Sequence, residues 1–301
     1  MSARFRHAPA LSLAVLLAAA APAHAQDPGW RTFVSVTPAY QGKADLDGGG
    51  DYSAWTANVR AGVSRGFGDG HRAGVTFKYD YTDYSFSNPA RFGGVAPWSV
   101  VQDYGVAVPL VFGMGNGWSL GFTPSVDWIR ENGADAGDSL VWGAVFSAAK
   151  RFADGNLIGL GFGAYDRIEK TAVYPLLLVD WRFSERWRLV NPLPAGPAGP
   201  AGLELDYRFD NAWSLGLGAT WRTNRFRLSD SGPVPNGVGE ERGAPVFLRA
   251  THDFGGGTTL HLYAGVVMGG RLRVEDAGGN VVRSVDFDPA PLFGATLSAR
   301  F

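Results

Sequence analysis

Charged side chains recur at alternate positions of otherwise apolar stretches: Arg60; Lys78 and Asp80; Asp127; Asp180 and Arg182; Glu204, Asp206 and Arg208; Arg222; Arg249. Set at a two-residue spacing, such groups fall on one face of extended chain while the intervening apolar residues fall on the other. Facing walls of mixed charge do one of two things. They hold water and pass polar solutes, with low-dielectric walls strengthening their field, or they pair into salt bridges that fill a sealed interior.

Other chemistry finds less support. A hydrolase needs a nucleophile, a histidine and an orienting polar group brought together. Beyond the first 25 residues the histidines are His71, His252 and His261. His252 and His261 fall on adjacent strands and could meet, but without a clear nucleophile the pair reads as structural. The "DLDGGGD" stretch offers Asp45, Asp47 and Asp51 to calcium, yet Gly49 occupies the third ligand position of an EF-hand loop, so it reads as a solvated turn. The chain has no cysteine, which excludes disulfides, thiolate metal sites, cysteine nucleophiles and a lipid-modified N-terminal Cys. No residue is assigned to catalysis, to a cofactor or to a metal.

The elements that would position the charges are strands. With 42 glycines and an aromatic content of 13%, the chain is poor helix material. Trp55, Ala57, Val59, Ala61 and Val63 alternate with Thr56, Asn58, Arg60 and Gly62; Val75, Phe77, Tyr79 and Tyr81 alternate with Thr76, Lys78 and Asp80. Leu203, Leu205, Tyr207 and Phe209 alternate with Glu204, Asp206 and Arg208, and the last ten residues repeat the pattern to Phe301.

Connections separate a soluble sandwich from a membrane barrel. Tight turns at 66–70, 115–117, 153–156, 184–186, 210–212 and 253–257 alternate with longer connections at 41–51, 88–99, 131–139, 166–171, 191–202, 227–243 and 275–290. Such alternation is that of an up-and-down transmembrane barrel with short periplasmic turns and longer extracellular loops. Counting between connections gives about fourteen strands; twelve is the alternative, since 187–191 is short for a strand and 281–288 can extend the last hairpin instead of lying in a loop. Pro38, Pro109, Pro124 and Pro175 fall inside these strands, where each removes a ladder donor, so bulges or shifted boundaries are expected there.

Tryptophans mark the height of the wall. Trp213 and Trp221 share a face and stand roughly 20 Å apart along the membrane normal; Trp118 and Trp128 stand roughly 25 Å apart, at about 3.3 Å per residue and a tilt near 40°. Trp118, Trp187 and Trp213 each follow a tight turn, so they form one ring of an aromatic girdle at the periplasmic interface. The interior then receives the alternating charges, and the bare stripe Gly159, Gly161 and Gly163 leaves room there for a folded-in loop or for long side chains opposite.

At the N-terminus, Arg4, Arg6 and His7 precede an apolar run from Leu11 to Ala21 and the small residues Ala23 and Ala25. This reads as a secretory signal peptide over 1–25, cleaved before Gln26, followed by a single barrel domain over 26–301. Removing it leaves 25 basic and 28 acidic residues, a balance that gives no electrostatic case for nucleic acid. Gln26 leads into the first strand within a few residues, which leaves no N-terminal plug of the kind that hydrophobic-compound transporters carry.

The terminal "LFGATLSARF" resembles the C-terminal strand that bacterial outer-membrane proteins present to the barrel assembly machinery. That resemblance implies an outer-membrane location, periplasmic chaperones as partners and Phe301 as an assembly signal. More narrowly, "WRFSERWRL", "GLELDYRF" and "RFRLSDSGPVPNGVGEERGAPVFLR" are similar to outer-membrane barrels of an uncharacterised family, domain of unknown function 6268, mainly in the C-terminal half. That family has no established activity, so no site residue is carried over.

The stretch 227–243, with Arg225 and Arg227 before it and Glu240, Glu241 and Arg242 near its end, reads either as a constriction or recognition element or as a solvated surface loop. The sequence therefore predicts a monomeric all-β outer-membrane barrel, without enzymatic activity, acting as a passive channel for small polar solutes. A closed structural or receptor barrel is the alternative.

Overall fold

A computed structural model describes residues 29–68, 70–193, 196–199 and 201–301. The signal peptide expected over 1–25 lies outside the described residues. The wall consists of β1 (Trp30–Asp45), β2 (Asp51–Phe67), β3 (His71–Ser87), β4 (Val100–Ala107 continued by Leu110–Gly113), β5 (Trp118–Glu131), β6 (Leu140–Arg151) and β7 (Leu157–Arg167). It continues through β8 (Lys170–Arg182), β9 (Trp187–Val190), β10 (Ala201–Arg208), β11 (Trp213–Arg227), β12 (Val238–Gly255), β13 (Thr258–Glu275) and β14 (Val281–Phe287 continued by Ala290–Arg300). Each strand pairs antiparallel with the next, and β14 returns to β1 from Phe33↔Arg300 to Gln41↔Leu292, closing a fourteen-stranded barrel.

Closure extends to Phe301. Thr32 and Phe301 exchange both backbone hydrogen bonds, at 3.1 and 2.9 Å, so the last residue is part of the seam. The outer face carries Phe77, Trp142, Phe146, Leu160, Phe162, Leu217, Leu248 and Phe293, all exposed. An apolar band of that extent around a closed wall faces lipid. Trp118, Trp187 and Trp213 stand exposed at the end carrying the termini, joined by Trp30; Trp221 stands at the opposite rim with Trp55 and Trp142, while Trp128 is half-buried and stacks on Tyr104 at 5.6 Å.

None of the four prolines sits at a register shift. Strand β4 lapses at Val108–Pro109 but keeps its register with β3 and β5 on both sides. There Val108 N–H donates to Pro124 O and Gly74 N–H to Pro109 O, so each proline forfeits only the reciprocal bond. The β1–β14 ladder likewise lapses at Thr37–Pro38 and resumes at Ala39 in the same register. Bulges lie elsewhere, at Gln41/Ala44 in β1 and at Arg242/Ala244 opposite Gly269, whose φ of +57° suits glycine. Beyond Gly269 the inward parity of β13 switches from odd (His261, Tyr263, Val267) to even (Leu272, Val274).

Several outer connections are shorter than the sequence suggests, because the strands run on past the girdle, while 88–99 keeps its length. What reads as a loop over 227–243 is a turn over 228–237 atop a hairpin whose strands pair from Arg222↔Gly243 to Arg227↔Val238. Above Trp221 this hairpin leaves the wall and crosses the mouth, and Arg227 forms a bridge with Arg130 of β5. One face packs Phe226 and Leu228 into a core with Tyr52, Tyr84, Trp98, Leu272 and Phe287; the other sets Val238 against Val141 and Ile168. The hairpin is thus a septum, buried on both sides. Trp98, from the 88–99 connection, meets Phe226 edge-on at 5.2 Å, and such aromatic packing accounts for much of the adhesion.

Candidate functional site: the lumen and its mouth

Alternation dictates the inner wall. On β2 to β5 the inward positions bring together Arg60, Lys78, Asp80, Asp103 and Asp127. Arg60 holds Asp80 through both nitrogens of its fork, one at 2.7 Å, and Lys78 Nζ lies 2.8 Å from Asp103 and 2.9 Å from Asp127. Asp103, which the sequence reading missed, is legible once β4 is paired, since it faces Asp80 across the β3–β4 ladder. Gly105 supplies the space Asp127 occupies: a Cβ there would collide with its carboxylate.

Across the lumen, Arg188 of β9 grips Asp180 with two bonds of 2.7 and 2.9 Å. Arg188 too was missed, because a four-residue strand shows no period. Asp206 lies opposite Arg188 in the β9–β10 register, whereas Arg182 and Arg208 stand exposed near the terminal end. Glu204 is wholly buried and accepts from Arg249 Nε at 2.7 Å, with Gly216 clearing room beside it.

Nearer the mouth, Glu241 is 2% exposed and gathers four donors: Tyr52 Oη at 3.1 Å and Arg222 Nη2 at 3.2 Å on one oxygen, Tyr84 Oη at 2.8 Å and Asn224 Nδ2 at 3.4 Å on the other. Gln41 donates to Tyr52 and accepts from Arg222, extending the network to β1. These four donors replace the water that burial takes from the Glu241 carboxylate.

The septum reverses the parity of β11 and β12. Arg225 and Arg227 continue the row of Trp213, Leu217 and Trp221, and Glu240 continues that of Leu248, so all three would face lipid had the strands stayed in the wall. They face the β5–β8 side of the mouth instead. Arg225 donates to Glu275 at 2.5 Å, to Glu240 at 3.4 Å and to Ile168 O at 2.8 Å; Arg227 donates to Glu169 at 2.6 Å, Asp138 O at 2.9 Å and Asn236 O at 2.8 Å. Arg242 is half-buried, opposite Arg271 of β13. The signal was present in the sequence: Arg225 and Arg227, in a row whose lower half is Leu and Trp, and Glu240 and Arg242, in a row that ends on Val246 and Leu248, cannot stay in hydrocarbon.

The histidines do not meet. His252 faces outward against Trp213, ring centroids 4.4 Å apart, while His261 faces inward and bonds Thr251 Oγ1 through Nδ1 at 2.9 Å. Adjacent strands brought them near; the one-residue offset in register set them on opposite faces. Among the described residues no cluster of three or more His, Cys, Asp or Glu is placed to hold a metal.

No family model matches the chain, and no curated protein matches it. Among solved structures it resembles the toluene transporter TodX of Pseudomonas putida, 10% identical over 91% of this chain and 90% of that one, with a TM-score of 0.45. An outer membrane channel from Pseudomonas putida F1 is 14% identical over 91% and 95%, with a TM-score of 0.44. The translocator domain of the autotransporter NalP from Neisseria meningitidis is 12% identical over 92% and 90%, with a TM-score of 0.38. The fold assignment rests on the closed strand ladder itself.

Proposed function

We propose that the protein is a passive channel for small polar solutes or ions in a bacterial outer membrane. One observation carries the reading. Inside a closed wall, the side chains of Arg60 and Asp80 keep 18% and 19% of their surface exposed, and those of Lys78 and Asp103 keep 25% and 19%. Their strands turn the other face to lipid, so this exposure is to water in the lumen. Fixed charges beside such a path bias which ions enter.

A secretory leader, the aromatic girdle and the terminal Phe301 support delivery by periplasmic chaperones and insertion by the barrel assembly machinery. Resemblance in the C-terminal half supports kinship with the uncharacterised barrel family of domain of unknown function 6268.

The septum favours a second reading, a barrel shut at its mouth that serves as a structural or receptor element. Purified protein in planar bilayers separates the two: the channel reading expects discrete conductance steps in potassium chloride. Correctly folded protein that gives no steps, and no solute uptake in liposomes, is the shut barrel.

A further inference from the structure

The wall is incomplete between β8 and β11. The ladder runs level through Asp180, Val190, Glu204 and Gly218, and there β9 stops. Above that level β10 adds only Ala201 to Leu203, and β11 turns inward past Trp221. Among the described residues no strand pairs with β8 on this side from Lys170 to Leu178, which leaves roughly 25 Å of strand edge at about 3.3 Å per residue.

Two residues treat this stretch as an edge. Val179 exchanges its N–H and C=O with Asn191, at 2.8 and 3.2 Å, so the odd residues of β8 aim their backbone groups at the gap. Asn191 Nδ2 also donates to Leu177 O at 2.8 Å and to Gly202 O at 3.1 Å, stitching the bottom of the gap where a strand would otherwise run. The next odd position is Pro175, which has no donor to leave bare. A closed barrel offers proline no edge, but this one has a local edge, and Pro175 lies on it.

Residues 196–199 of the connection from β9 to β10 do not roof the gap. Ala198 is 1% exposed, packed against Phe247 and Tyr263, and its carbonyl accepts from Thr220 Oγ1 at 2.6 Å; Pro197 O accepts from Arg222 at 3.3 Å. Residues 196–199 thus lie inside the lumen on the β11–β13 side. The top of the gap is closed by Arg225 on Ile168 O and by Arg167 on Thr223 O at 3.5 Å. Inside its β8 lip stand Ala172 and Tyr174, which lies over Gly163 and stacks on Tyr165 at 5.9 Å; outside stand Val173, Leu177 and, across the gap, Trp221, all exposed.

We propose that this gap is a lateral opening through which the lumen meets the bilayer, a side route for small amphipathic molecules with an apolar body and one polar group. The bare edge at Thr171 and Val173 stands at the rim marked by Trp142 and Trp221, where unpaired backbone survives by lining water. The outer lip is aliphatic and indole; the inner lip offers phenol hydroxyls and Arg167. This goes beyond passage along the barrel axis and concerns the wall, whether or not the lumen conducts.

The absence of native cysteine allows a single reporter. A bimane label on Ala172→Cys, inside the gap, is compared in phospholipid vesicles with labels on Val145→Cys, on the inner face of β6 far from the gap, and on Val173→Cys, on the lipid face. Phospholipid brominated near the headgroup end of its chains, at the height of that rim, is expected to quench the Ala172→Cys label several-fold more than the Val145→Cys label, approaching the Val173→Cys level. Tyr174→Cys is a second inner-lip reporter should Ala172→Cys fold poorly. Inner-lip quenching equal to that at Val145→Cys overturns the opening, and it does so even in protein that conducts; strong quenching in non-conducting protein upholds the opening and counts only against the axial channel.

Discussion

Arg225 of β11 and Glu275 of β13 are joined at 2.5 Å, with the arginine side chain 1% and the glutamate side chain 7% exposed. The pair pins the septum from the face that would have met lipid. Removing one member of a buried pair leaves the other uncompensated, at a cost of about 3–5 kcal/mol. Arg225→Met is therefore expected to lower the unfolding free energy read from urea titration by that order and to raise conductance by freeing the mouth. Unchanged stability would show that the septum is held by Phe226 and Leu228 instead.

The outer face is tested at Leu217, whose side chain is more than half exposed. Leu217→Arg near the membrane midplane should cost roughly 2–4 kcal/mol of folding free energy in lipid, whereas Ser147→Arg, on the inner face beside Gly121 and Gly161, should cost far less. Gly218 is no clean inner control, since a Cβ there would strike the Phe247 ring. Equal costs at 217 and 147 would contradict the assignment of faces.

Ion selectivity is best probed at Lys78. Reversing Arg249 would set a carboxylate against the fully buried Glu204 and unfold the wall, but Lys78 keeps a quarter of its side-chain surface. Lys78→Gln leaves Asp80, Asp103 and Asp127 with Arg60 alone, so reversal potential in a salt gradient should move toward cation preference. No movement in a conducting variant places the path away from β3–β5.

Deleting Phe301 removes two backbone hydrogen bonds from the β1–β14 seam and an exposed aromatic from its lipid face. Outer-membrane yield and heat-modifiable gel mobility should both fall. Normal values for both would strip the residue of any part in assembly.

Asp210 lies in a turn outside the membrane, where the backbone N–H groups of Ala212 and Trp213 hold its carboxyl below the ordinary range. A depressed folded-state pKa contributes stability that is present above the unfolded value and lost as pH falls through the folded one. The Trp213 amide resonance should shift as pH falls below the usual aspartate range, and Asp210→Ala should abolish that titration. A shift centred at the ordinary aspartate value would show the cap to be weak.

The sequence alone determined the wall: its period-two faces, its alternating connections, its fourteen strands and the tryptophans at its rims. These are local properties, because side-chain direction in a strand depends on nothing farther away than the next residue. The bulge opposite Gly269, the inward turn above Trp221 and the missing strand beside Pro175 were decided by tertiary structure. Each depends on what lies across the barrel. Arg225 reads as a loop charge until Glu275, Glu240 and Ile168 surround it, and Asn191 reads as a turn residue until the bare edge of β8 needs its amide. Long-range pairing costs chain entropy that only a closed ring recovers, so no window of sequence could hold that information.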